Sequence, residues 1–147
     1  MENPFTSIPR KVMAASSILF ASAAYLADWS HTHVLNPRWP PHAKFHNGQT
    51  MSIGAINATL VVYLLSRRAN SSETEKSLVF VAAVVGSSTA LAGLSAILYP
   101  GTAWTDPEFD TGALIAPQAY VFIGHLMLTW AGYMLEMSKL NQKHEKL

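Results

Sequence analysis

Two groups of residues that can move protons or hold a metal stand out in an otherwise apolar chain. One runs Asp28, His31, His33, His42, His46 and the other is Asp106, Glu108, Asp110. An unperturbed imidazole titrates at about pH 6.5, so histidine beside carboxylate is the usual material for acid–base catalysis. Proline suits the first turn of a helix, so Pro40-Pro41 predicts a helix start. His42 and His46 then lie one turn apart on one face, the spacing by which two imidazoles share a metal. His31-x-His33, read as an extended segment, offers a second pair. Two chemistries stay open: acid–base work by His42 and His46 with Asp28, or a single divalent transition metal held by His31, His33, His42 and His46 and completed by a carboxylate. A third role is plainer, with the histidines capping helices or joining Trp29 and Trp39 in an interfacial aromatic belt.

Two further polar residues fall deep inside apolar runs, where an unpaired polar group is costly. Asn57 and His125 are expected at similar depth, either as catalytic groups or as a hydrogen-bonded pair joining two helices. At about 100° per residue, His42, His46, Gln49, Ile53 and Asn57 share one face of a helix. Gln118, His125, Thr129 and Glu136 share a face of another. Two such stripes facing each other predict a pocket with Gln49, Gln118 and Trp39 among its walls. Ser87, Ser88, Thr89 and Ser95 are read as packing residues bonded to their own helix carbonyls. Glu136, near the end of its helix, is expected in solvent.

The elements that must position these groups are membrane helices. The chain has 147 residues, 50% apolar and only 13% charged, whereas charged residues approach a quarter of an ordinary soluble domain. A hydrocarbon core of about 30 Å needs about 20 helical residues. Four stretches qualify, 12–29, 48–66, 78–99 and 114–135, giving one all-α domain, an integral membrane four-helix bundle. Eight of the ten basic residues (Arg10, Lys11, Arg67, Arg68, Lys76, Lys139, Lys143, Lys146) fall in the N-terminal, second-connection and C-terminal segments. Only Arg38 and Lys44 fall in the first and third connections. The positive-inside rule therefore predicts cytoplasmic N- and C-termini. A rival reading makes the first stretch a cleaved signal peptide, since Ala21-Ser22-Ala23 has the small-residue cleavage pattern.

Zero cysteines exclude disulfides, thiolate metal sites and thiol nucleophiles. A net charge of +1 offers no basic face for nucleic acid. The sequons at Asn57 and Asn70 are expected to stay unglycosylated, the first being inside a span and the second cytoplasmic. The expected partners are the lipid bilayer, a lipophilic small molecule and, through self-association, a second copy in a homo-oligomer.

The run Asn36-Pro37-Arg38-Trp39-Pro40-Pro41-His42-Ala43-Lys44-Phe45-His46 resembles the Asn-Pro-x-Trp-Pro-Pro-His-Ala-x-Phe-His signature of a family of small four-span membrane proteins from fungi and bacteria. That resemblance covers most of the chain and implies fold and topology rather than an activity. In size and layout alone the chain is also similar to fungal anthrone-oxygenase-like and sterol-isomerase-like four-span proteins, which bind lipophilic molecules between their helices. Together these readings predict a membrane-embedded enzyme, in the endoplasmic reticulum or another endomembrane, that isomerises, cyclises or oxidises a lipophilic metabolite. The competing classes are a non-catalytic scaffold, docking a partner through the Trp- and Pro-rich connection, and a small transporter.

Overall fold

Proline and serine set the helix starts. In a computed structural model describing residues 4–67, 69–113 and 115–144, four helices account for most of the chain, with no strand among the described residues. They are α1 (Ile8–Asp28), α2 (Pro41–Ser66), α3 (Ser72–Ser95) and α4 (Pro117–His144). Pro9 sits in the first turn of α1, Pro41 opens α2 and Pro117 opens α4, positions where the missing N–H costs nothing. α3 is capped instead by Ser71, whose Oγ accepts from the Thr74 N–H at 3.1 Å. Glu73 and Glu75 in its first turn suit the positive end of the helix dipole.

The helices are longer than or displaced from the expected stretches. α2 begins at Pro41 rather than 48, because the double proline starts it ahead of the apolar run. α3 ends at Ser95, and a short 3-10 turn, Ala96–Leu98, carries the rest. α4 runs past Leu135 to His144, where Lys, Asn and Gln keep forming helix. Leu114, Arg68 and Lys146, which entered the span and charge expectations, lie outside the described residues.

Each helix packs on its sequence neighbours and α4 closes back on α1, so that α2 and α4 face each other only across a diagonal. The interior is built from small residues. Ala14, Ala21, Gly54, Ala58, Ala82, Ala83, Gly86, Ala90 and Ala119 are buried, while large apolar side chains point outward on every helix, among them Leu19, Leu26, Ile56, Leu60, Phe80, Leu91, Met127 and Leu135. Two of the helical segments, Pro41–Ser66 and Ser72–Leu98, are long and apolar enough to cross a membrane.

At the end of the bundle carrying the starts of α1 and α3, the core is dense: Met13, Val61, Leu65, Val79 and Leu140 pack together. Arg10, 1% exposed, ties this end to all the other helices. Its Nε donates to Glu136 Oε1 at 2.5 Å, its Nη2 to Glu75 Oε1 at 2.6 Å and its Nη1 to the Leu65 carbonyl at 3.4 Å. Glu136 is thus buried rather than solvated as expected. The Arg10 guanidinium and the Ser7 hydroxyl, which donates to its other oxygen, make that burial tolerable.

Candidate functional site

At the opposite end a different set of small residues leaves space. A cavity of about 810 Å³ lies between all four helices, walled by Ala23, Ala24 and Ala27 of α1, Ile53 of α2, Ala92 and Gly93 of α3, and Val121 of α4. Small side chains at matching depth on α1 and α3 create the volume, since neither helix can fill what the other leaves open. The wall is mainly apolar, with polar groups at two levels, a pattern typical of small-molecule sites. Asp28 and Gln118 stand near the mouth; half-buried Asn57 and Thr89, with Ser88 exposed beside them, stand farther along the bundle. From Thr50 to Asn57 the cavity wall runs about 10 Å along α2.

The deep group is fixed by hydrogen-bond logic. The Ser88 hydroxyl donates to the Val85 carbonyl at 2.8 Å, so its oxygen can only accept. Asn57 Nδ2 donates to that oxygen at 2.8 Å and to Thr89 Oγ1 at 3.0 Å, which spends both amide hydrogens on α3. The expected Asn57–His125 pair is not made. α2 and α4 are diagonal, and Asn57 reaches its neighbour α3 instead.

His125, 4% exposed, lies beyond the cavity floor. The Gly86 carbonyl can only accept, so His125 Nε2 carries a proton and donates to it at 2.9 Å. In the neutral ring Nδ1 then accepts from the Ser16 hydroxyl at 2.8 Å. Phe20 stacks on the imidazole, with centroids 4.4 Å apart, and Phe122 meets Phe20 edge-on at 5.7 Å. Both phenyl rings line the cavity, and His125 does not. Gln118 behaves differently: its Nε2 donates to the Trp104 carbonyl at 2.5 Å, which leaves its carbonyl oxygen without a partner among the described residues.

Around the mouth the two connections on this side are bound together. The Trp39 indole N–H donates to Asp106 Oδ2 at 2.9 Å, Arg38 forms an ion pair with Glu108, and buried Asn36 donates to Glu108 at 3.4 Å. Asn36 Oδ1 also accepts from the Arg38 N–H at 2.9 Å, shaping the turn that presents Trp39. Asp28 receives the Asn47 amide at 2.8 Å, and His33 Nε2 lies 3.8 Å from its other oxygen. His33 packs edge-on against Trp39 and its Nδ1 contacts Thr32 Oγ1 at 2.7 Å. Asp28, His33, Trp39 and Asp106 therefore form one continuous polar rim.

The four histidines proposed for a metal are not assembled. Residues 30–36 fold into turns rather than an extended segment, with the Val34 N–H donating to the Asp28 carbonyl and the Leu35 N–H to the Ser30 carbonyl. This turns His33 towards Asp28 and leaves His31 exposed. His42 and His46 do project from one face of α2, their Nε2 atoms 3.0 Å apart, but both are exposed. Gln49, with its Oε1 3.3 Å from His46 Nδ1, is exposed beside them. None of the three lines the cavity. Among the described residues no three His, Asp or Glu side chains converge on a position for a metal.

Sequence reasoning missed Phe20, Phe122, Asn47 and the Ser88–Thr89 pair. The legible signal for the cavity was the run of alanines 23, 24 and 27 on α1 set against Ala92 and Gly93 on α3 and Ala96 in the turn that follows it, at the same end of the bundle.

The chain belongs to a family of unknown function, DUF6640, whose pattern matches residues 12–146. Neither curated proteins nor solved structures give a match.

Proposed function

We propose that the chain is a four-span membrane enzyme that takes a lipophilic small molecule into the cavity between its helices and acts on it by proton transfer at Asp28. The observation that carries this reading is the cavity itself, about 810 Å³, mainly apolar, with a few polar groups at its mouth and its deep end. A carboxylate opening into an apolar space has few competing water molecules, so its hydrogen bonds to a bound molecule are strong. Asn47 orients the Asp28 carboxylate, and His33 stands within reach of its other oxygen as a proton relay. Isomerisation and cyclisation are the reactions such a group serves directly.

Membrane insertion of all four helices is supported by the arrangement of the surface. Even α1, the shortest at 21 residues, extends about 32 Å. Leu19 and Leu26 on α1 and Tyr120, Met127 and Leu128 on α4 are exposed as fully as the apolar residues of α2 and α3. Large side chains outside and alanine and glycine inside are the pattern of helices packed in lipid. The distribution of the basic residues supports a cytoplasmic location for both termini, with the cavity mouth on the other side.

The test is a comparison of lipophilic extracts from cells lacking the chain, cells expressing it, and cells expressing Asp28→Asn. At least one lipophilic species should be converted by the wild type and accumulate with Asp28→Asn. Extracts that do not differ between wild type and the lacking strain overturn the enzymatic reading.

A further inference from the structure

We infer that the deep end of the cavity reads a hydroxyl group, so that the molecule it takes is a lipophilic alcohol; this rests on the cavity being a small-molecule site. Both amide hydrogens of Asn57 are committed to Ser88 and Thr89, with the amide orientation fixed by the Ser88 hydroxyl donating to Val85. The Asn57 carbonyl oxygen is left with no donor among the described residues. Thr89 Oγ1 accepts from Asn57, and its own hydrogen is donated to no group among the described residues. Both residues line the cavity. The wall therefore offers one acceptor and one donor side by side.

A hydroxyl is the complement of that pair, because it donates through its hydrogen and accepts through its oxygen. A ketone or aldehyde only accepts. It would satisfy Thr89 and leave the Asn57 carbonyl buried under apolar ligand without a partner. A hydrocarbon would satisfy neither. With the hydroxyl at Asn57 and Thr89, the rest of the molecule runs outward past Phe20, Phe122 and Val121, and its far end reaches the level of Asp28 and Gln118. Ser88 has no hydrogen to give, since it donates to the Val85 carbonyl while its oxygen accepts from Asn57, so Thr89 is the donor of this group.

The experiment measures binding of three C20 isoprenoids with one skeleton, the alcohol geranylgeraniol, its aldehyde and its parent hydrocarbon, to the full chain in detergent micelles by isothermal titration. The alcohol should bind roughly tenfold or more tightly than the aldehyde, as expected for an unpaired buried acceptor. Asn57→Leu should bring the alcohol and the aldehyde within about twofold of each other, and Thr89→Val should weaken both while leaving the hydrocarbon unchanged. Hydrocarbon binding by each variant shows that its cavity is intact. Equal affinity of the wild type for all three overturns the hydroxyl assignment and leaves the lipophile site standing. Binding of none of the three overturns the lipophile site and the assignment with it.

Discussion

Phe20, which lines the cavity, lies flat against buried His125, which does not, their planes 10° from parallel and their centroids 4.4 Å apart. The ring is thereby closed off from any bound molecule, and both its nitrogens are engaged, one with Ser16 and one with the Gly86 carbonyl. His125 joins α1, α3 and α4; it is a structural node. His125→Leu, which keeps the bulk and deletes the hydrogen bonds, should cost about 1–3 kcal/mol of stability. It should leave conversion of the lipophilic substrate intact once the variant is held below its unfolding midpoint. Thermal unfolding in detergent measures the first, and extract profiling the second. Loss of conversion by a variant that remains folded would make the imidazole catalytic.

The other end of the bundle depends on Arg10. Arg10→Met leaves the Glu136 carboxylate buried with only the Ser7 hydroxyl, and removing one partner of a buried pair costs about 3–5 kcal/mol. Glu75, whose side chain is 27% exposed, retains water as an alternative partner. Glu75→Gln should cost about 1 kcal/mol or less. Chemical denaturation of the two variants side by side gives the ratio, and equal losses would show that the exposed arm of the cluster matters as much as the buried one.

What the sequence made legible was periodic or local. The double proline marks the start of α2, and the i, i+4 spacing places His42 and His46 on one face. Ile53 and Asn57 of one stripe and Gln118 of the other line one cavity, whereas His42, His46, Gln49 and His125 of those stripes, and Trp39, expected among the walls, do not. What it left unreadable were the partners. Asn57 and His125 sit at plausible depths for a pair, yet helix order in the bundle sets them on diagonal helices, and periodicity carries no information about which helix lies alongside. Glu136 reads as a solvated residue near a helix end because its partner Arg10 is 126 positions away. The acids of the α3–α4 connection and the histidines of the α1–α2 connection share an end of the bundle as expected. Arg38, Trp39 and Asn36 take up Asp106 and Glu108, however, so among the described residues only Asp28 forms a close pair with a histidine.

The absence of cysteine makes the proposed topology directly testable, since any introduced thiol is the only one. Ala103→Cys, in the α3–α4 connection, and Asn70→Cys, between α2 and α3, both replace exposed residues. A membrane-impermeant maleimide should label Ala103→Cys only from the non-cytoplasmic side and Asn70→Cys only from the cytoplasmic side. Labelling of both from the same side would break the four-span arrangement, and exchange of the two sides would invert it.

Three glycines on α3 and α4 separate helix propensity from close packing. A Cβ at Gly124 meets nothing within 4 Å, so Gly124→Ala should gain the usual helix preference of alanine, about 1 kcal/mol. At Gly132 the same Cβ would sit 2.6 Å from Met13 Cγ and 3.1 Å from the Pro9 carbonyl oxygen. There the propensity gain is outweighed by overpacking between α4 and α1, typically about 1–3 kcal/mol, and Gly132→Ala should lower the unfolding midpoint. Gly93 is the informative case, because its Cβ would fall 2.7 Å from the Phe122 ring that lines the cavity. The ring must shift, and α1 and α4 already hold Phe20 against it, so the displacement goes into the cavity. Gly93→Ala should therefore weaken binding of the C20 alcohol more than it lowers stability, whereas Gly132→Ala should do the reverse. If Gly93→Ala binds as the wild type does, Phe122 is not a wall of the site.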